Sequence, residues 1–210
     1  MKVRFLLLFA VFLGGCATAP PPVSEDAVAP AAIARHQQHL TQLEQWQLQA
    51  HIALFNLTND ERDAVYLEWR QRPQQMQLRF YHPLKGTLAR LEQTPLGATY
   101  YDEDDQAYYG SDAEQLVHRL FGYQLPLDLL QQVVIGQQPE LVSAPSYRNF
   151  STSNGDLAPL ASYHTKASEQ QWHVQLNAYE VVNSKVYLPT AIELESALWR
   201  IKMRVRKWQL

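Results

Sequence analysis

The chain of 210 residues has one cysteine, Cys16, and the residues ahead of it give that thiol a specific chemistry. Lys2 and Arg4 precede an apolar run from Phe5 to Leu13, and Gly14 and Gly15 then lead to the cysteine. A basic segment, a short apolar segment and small residues make a secretory signal. A leucine and two small residues directly before cysteine also match the bacterial lipobox, in which the thiol is acylated and the cysteine becomes the mature N-terminus. The rival reading is a free or disulfide-bonded cysteine, but a disulfide needs a second cysteine. The expected lipidation site is Cys16.

Other residues capable of chemistry are less organised. Of the seven histidines, His36 and His39 stand three apart, yet no HExxH pattern, second cysteine or third ligand accompanies them. Asp102, Glu103, Asp104 and Asp105 lack calcium-loop spacing and a glycine at the turn position, so a solvated hairpin is expected. No Gly-x-Ser-x-Gly elbow and no phosphate-binding glycine loop occurs. The expectation is a protein that is not an enzyme, with no metal and no cofactor.

The apolar run is shorter than the roughly twenty residues that span a bilayer, and no later segment is uniformly apolar. Cleavage before Cys16 removes Lys2 and Arg4, leaving 16 basic against 21 acidic side chains. That balance argues against nucleic-acid binding. Ala17 stands where an aspartate would signal inner-membrane retention, which favours the outer membrane. Ala17 to Pro30 is rich in alanine and proline, buries nothing and reads as an extended tether. The expected organisation is a signal peptide over 1–15, an acylated tether over 16–30 and one domain over 31–210.

A helix is expected over Ala31 to Gln45, with Ile33, Leu40 and Leu43 on one side. From Trp46 the period becomes two. Trp46, Leu48, Ala50, Ile52 and Leu54 alternate with Gln47, Gln49 and His51, Val65, Leu67 and Trp69 with Tyr66, Glu68 and Arg70, and Met76, Leu78 and Phe80 with Gln77 and Arg79. The pattern returns at Trp172, Val174 and Leu176 and ends with Trp199, Ile201, Met203 and Val205. Such alternation marks antiparallel strands with one buried face. Between these sets, Ser111 to Glu114 matches a capping box opening a helix that Gly122 stops. A second helix should run from Pro126 to Ile135, ended by Gly136. Residues 137–156 read as mostly loop. Three modest helices cannot cover so large an apolar face, so the surplus closes as a barrel or lines a cavity. Trp46, Trp69, Trp172 and Trp199 suit either a core or a cavity wall. The basic row Arg200, Lys202, Arg204 and Arg206 suits contact with headgroups or an acidic carrier, or the wet face of an edge strand.

Several segments, in order, resemble the LolB family of outer-membrane lipoproteins. FYHPLKG at 80–86 is similar to the family's Asn-Pro-Leu-Gly loop, with His82 in place of asparagine and Lys85 inserted before Gly86. YGSDAEQLVHRLFG at 109–122, LPLDLLQQVVIGQQP at 125–139 and VYLPTAIELE at 186–195 are also family-like, although Val133 stands where many relatives carry tryptophan. The resemblance runs from about Trp46 to Trp208. It implies a mainly β fold with some α, an incomplete antiparallel β-barrel (half-barrel) with about three helices covering an apolar cavity. The implied wall includes Trp46, Leu48, Ile52, Val65, Leu67, Trp69, Leu78, Phe80, Trp172 and Val174. The implied membrane-insertion loop is Pro83 and Leu84, with Leu84 exposed. The implied partners are a periplasmic, LolA-like lipoprotein carrier, acylated client lipoproteins and the inner leaflet of the outer membrane, with the protein itself a monomer on the periplasmic face. Rival readings are a half-barrel that senses or stores another lipid, an assembly-accessory lipoprotein, and a lipoprotein hydrolase.

Overall fold

The computed structural model describes residues 28–210, apart from 123–124, 154 and 184–185. The signal segment, Cys16 and most of the expected tether lie outside the described residues. Eleven antiparallel strands form one sheet in the order β6-β5-β4-β3-β2-β1-β11-β10-β9-β8-β7. The first meander is β1 (Trp46–Asn56), β2 (Glu61–Arg72), β3 (Gln75–His82), β4 (Gly86–Thr94), β5 (Gly97–Tyr101) and β6 (Ala107–Gly110). The second is β7 (Ser143–Tyr147), β8 (Leu160–Ala167), β9 (Gln170–Val182), β10 (Val186–Glu195) and β11 (Trp199–Gln209). The two meet where β11 pairs with β1, and the edges β6 and β7 do not pair. The barrel is therefore incomplete.

The period-two pattern sets the register. Leu48 faces Trp69 on one side and Trp208 on the other, so large apolar residues share the inner face. Trp46 packs against Trp69 at 5.4 Å and Trp208 at 5.7 Å between ring centroids. Tilted aromatic contacts of this kind add about 0.5–1.5 kcal/mol beyond area burial. The chain crosses from edge β6 to edge β7 through α2 (Ala113–Phe121) and α3 (Leu127–Ile135), which lie against the inner face.

Local detail departs from the sequence pattern in four places. The first helix, α1 (Pro30–Thr41), stops early, and Thr41 Oγ1 donates to the Gln38 carbonyl at 2.9 Å. Its buried residues are Ala32, His36 and Leu40; of the expected Ile33, Leu40 and Leu43, Leu40 is buried, Leu43 packs partly buried against the core and Ile33 is half-buried. The cap of α2 is Asp112, which accepts from the Gln115 N–H, so the expected Ser111–Glu114 box is displaced by one residue. Residues 143–147, expected as loop, form edge strand β7. Finally, β11 is central rather than an edge, because the second meander returns to the first strand. The first two members of its basic row pair with carboxylates of β10, Arg200 with Glu195 at 2.6 Å and Lys202 with Glu193 at 3.2 Å.

Helix α1 buries a histidine completely. His36 Nε2 lies 3.2 Å from the Tyr187 carbonyl. A carbonyl only accepts, so Nε2 carries the hydrogen and Nδ1 is left a buried acceptor, without a partner among the described residues. Burial lowers the imidazole from 6.5 to about 4, against the pull of that hydrogen bond, and His39 lowers it further. The unfolded chain takes up this proton near 6.5 and the folded chain near 4, so stability falls as pH drops between those values. The loss is at most on the order of 3 kcal/mol. His36→Gln keeps an N–H for Tyr187 and cannot titrate. Thermal unfolding followed from pH 7 to pH 4 should show a shallower fall in Tm for the variant than for the natural chain.

Candidate functional site

Antiparallel register fixes which turns share an end of the sheet. The turns between β1 and β2, β3 and β4, β5 and β6, and β10 and β11 lie together at one end. Toward that end, on the inner face, lies an apolar cavity of about 280 Å³. Ile52, Val65, Leu67, Trp69, Leu78 and Phe80 line it, six of the ten residues expected on its wall. Leu54, Ala89, Leu91, Tyr100, Ile201 and Met203 join them from the sheet, and Val117, Phe121, Leu125, Leu127 and Leu130 close the other side from α2, α3 and their connection.

The other four expected residues are buried outside this wall. Trp46 and Leu48 share the inner phase of β1 but sit toward its opposite end, against Trp69 and Trp208. Trp172 and Val174 belong to β9, in the far half of the sheet, opposite Thr165 and Tyr163 of β8. Period-two reading places residues on a face without saying where along the strand, or under which helix, the face stays open. The same gap hid Ile201 and Met203, which reach the wall because they pair with Leu54 and Ile52. One wall residue is a carboxylate: Asp63, on the inner phase of β2 near the β1–β2 turn.

The β3–β4 turn stands at the cavity's end of the sheet. His82 Nδ1 accepts from the Leu84 N–H at 3.2 Å, and the His82 carbonyl accepts from the Lys85 N–H at 3.1 Å. The imidazole thus makes the bond that an asparagine makes in an Asx turn. Gly86, at φ +83°, takes the left-handed conformation that returns the chain to β4. Pro83 and Leu84 form the tip, and Leu84 is 91% exposed. The acidic run caps the neighbouring hairpin: Asp102 Oδ1 accepts from the Asp104 and Gln106 N–H groups, and Asp105 pairs with Arg90. Among the described residues no group of three or more His, Cys, Asp or Glu is placed to hold a metal ion.

Helix α3 is held at both ends by side chains of the other helices. Glu114 of α2 accepts from the Asp128 N–H at 3.1 Å and from the Ser168 hydroxyl at 3.3 Å in the β8–β9 turn. At the far end Gln37 of α1 donates to the Gly136 carbonyl at 3.2 Å and accepts from the Gln138 N–H at 2.9 Å. Neither residue stands out in the sequence; Glu114 suits its own helix cap there, and the structure spends it on the next one. Burial raises the Glu114 carboxyl above its usual range, with Asp128 adding to the rise, while the hydrogen bonds it accepts oppose it.

Residues 44–208 match the sequence profile of the family described as "Outer membrane lipoprotein LolB". Similar curated proteins include the outer-membrane lipoprotein LolB of Vibrio cholerae, 27% identical over 204 residues and covering 95% of this chain and 92% of the relative. That of Psychromonas ingrahamii is 28% identical over 204 residues, covering 97% and 94%. Among solved structures, a LolA superfamily protein from Nitrosomonas europaea shares the fold at 9% identity and TM-score 0.51, over 86% of this chain and 92% of that one. A DUF1329 family protein from Desulfovibrio piger does so at 6% identity and TM-score 0.51, over 84% and 89%.

Removing the Glu114 carboxylate should loosen α3 over the cavity. Glu114→Ala leaves the Asp128 N–H short of its acceptor and should cost about 1–3 kcal/mol. Glu114→Gln retains an acceptor and relieves a half-buried charge, so its unfolding midpoint should stay near that of the natural chain. Denaturant melts, with hydrogen exchange at the Asp128 amide, distinguish the two; equal loss in both variants would mean the charge itself holds the bracket.

Proposed function

The chain belongs to the family of the outer-membrane lipoprotein LolB, and from that premise we propose that it receives acylated lipoproteins from a periplasmic carrier and inserts them into the outer membrane. The observation that supports this most directly is an apolar cavity toward the same sheet end as an exposed leucine turn. Acyl chains in water cost about 0.8 kcal/mol per methylene, so a client cannot cross the periplasm unshielded. A wall of aliphatic and aromatic side chains offers the chains an equivalent environment. No covalent bond changes, and the direction of transfer follows from which surface shields the chains better.

The proposed anchor is Cys16, acylated and joined by residues 16–30 to one lipid-handling domain over 31–210. The relatives are named as outer-membrane lipoproteins, and among the described residues no helix is long and apolar enough to cross a membrane. Anchoring through lipid on the periplasmic face is consistent with both. Leu84, with Pro83 beside it, is the proposed insertion element. Leucine entering lipid gains about 1.5–3 kcal/mol, sufficient to bring the mouth onto the leaflet and insufficient to anchor the protein. Lys85 is compatible with that role, since its stem lies along apolar surface while its ammonium reaches phosphate.

Two substitutions separate the steps in a transfer assay with purified carrier, client and vesicles. Leu84→Glu should accept client normally and insert it at least about tenfold more slowly, the factor for losing roughly 1.4 kcal/mol of leucine burial. Parallel loss of acceptance and thermal stability would remove Leu84 from the insertion role. Ala89→Phe projects a ring into the cavity and should lower client binding while the Leu84 turn still touches membrane. Unchanged client binding would place the acyl chains elsewhere.

A further inference from the structure

The end of the sheet away from the mouth presents a second leucine by the same device. In the β4–β5 turn Thr94 Oγ1 accepts from the Leu96 N–H at 3.2 Å, as His82 Nδ1 accepts from the Leu84 N–H across Pro83. Pro95 stiffens this turn as Pro83 stiffens the other. Gly97 ends the turn at φ +134°, and a Cβ there would lie 2.7 Å from the Gly110 carbonyl oxygen of the adjacent β6, so the position admits only glycine. Leu96 is 99% exposed, more than Leu84.

Cations gather at the same end. Arg70, Arg72, Arg206 and Lys207 are all exposed. Among the described residues none of the four meets a carboxylate, whereas Arg79, Arg90, Arg200 and Lys202 all do. The register shift between Gln49 and Ala50 explains the grouping. It makes Arg206 an extra residue, so Arg206 and Lys207 are both exposed instead of alternating. Arg70 faces Gln47, which donates no charge, and Arg70 and Arg72 share a shallow polar groove with Gln47 and Gln71. One strand separates Arg72 from Thr94, a spacing of about 10 Å. In a chain of net charge −3, this is a local excess of positive charge.

We propose that this strand end is a second membrane-docking surface, where Leu96 enters the acyl region of an acidic bilayer and Arg70, Arg72, Arg206 and Lys207 hold its phosphates. Guanidinium groups grip phosphate oxygens in pairs, which suits the three arginines. A projecting leucine with unpaired cations along one side of it, two to four strands away, and Glu92 between, gains little from water and much from lipid. A folded acidic protein would have to supply a pocket for it. Docked this way, the cavity mouth points away from the leaflet toward the carrier; the Leu84 turn reaches lipid when the body turns over. Residues 17–29 could reach at most about 45 Å from the anchor at full extension, enough for both poses.

This inference rests on the lipid-anchored reading above, and the test separates the two. Acylated full-length protein carrying Leu96→Cys, labelled with a polarity-sensitive fluorophore, is placed on vesicles of phosphatidylcholine with or without phosphatidylglycerol. The expected result is a blue shift and quenching by brominated lipid at position 96 with phosphatidylglycerol, and an aqueous signal from the same label at Leu141→Cys. Arg72→Gln and Lys207→Gln should each weaken docking about fivefold, the factor for one cation at an acidic leaflet. A label at position 96 that stays in water on both vesicles, or is shielded only by an added acidic protein, overturns the proposal while leaving the anchor intact. Protein that does not associate with vesicles at all overturns the anchored reading and this one with it.

Discussion

Helix α3 can exist only inside something. Six of its nine residues, Leu127, Leu129, Leu130, Val133, Val134 and Ile135, are buried, which leaves only the narrow polar stripe of Asp128, Gln131 and Gln132 to face outward. The chain meets that constraint by laying the helix against the inner face of an open sheet, at the crossing between its two edges. Pinning follows from the same need. Both helix ends would leave orphaned backbone groups in an apolar setting, and Glu114 and Gln37 satisfy them at a distance of one helix each. The tie also fixes α2 and α1, so one buried helix sets the position of all three. The apolar wall that α2 and α3 cover without filling is the cavity.

That placement explains why the two halves of the sheet differ. The β8–β10 half is filled: Tyr163, Trp172, Val174, Leu176 and Leu188 are fully enclosed. The β1–β5 half is only part-filled, and Ile52, Leu54, Val65 and Phe80 remain half-buried around the void. A well-packed flank gives rigidity, and the loosely covered flank gives room. Close packing everywhere would leave nothing for a ligand to displace.

Much of this was legible from period alone. Alternation from Trp46 onward placed the apolar face, and its excess over three helices pointed to a cavity. Glycines and prolines located both helices of the crossover. What alternation could not supply was depth along each strand, so Trp172 and Val174 looked like Ile52 and Val65 although they lie in different halves. Nor could helical spacing choose between adjacent stripes on α1; the stripe that packs buries His36, a residue that pattern reading assigns to water. Roles that depend on a distant backbone group, such as that of Glu114 toward Asp128, leave no local trace. The same is true of the register shift that brings Arg206 beside Lys207.

Exposure of Leu84 needs a physical reason, because folding back against the nearby apolar wall would gain up to about 1.5–3 kcal/mol. The turn withholds that gain. Pro83 fixes its own φ and biases His82 toward extended backbone. The His82 imidazole then holds the Leu84 N–H, and Gly86 alone adopts the positive φ that realigns β4. With both sides of the tip specified, the side chain points away from the sheet whatever its hydrophobicity. Histidine at position 82 serves as well here as an asparagine would, since either residue offers a short-range acceptor. The physical requirement at that site is an acceptor two residues before the leucine, and Lys85, which follows the leucine, leaves that bond untouched.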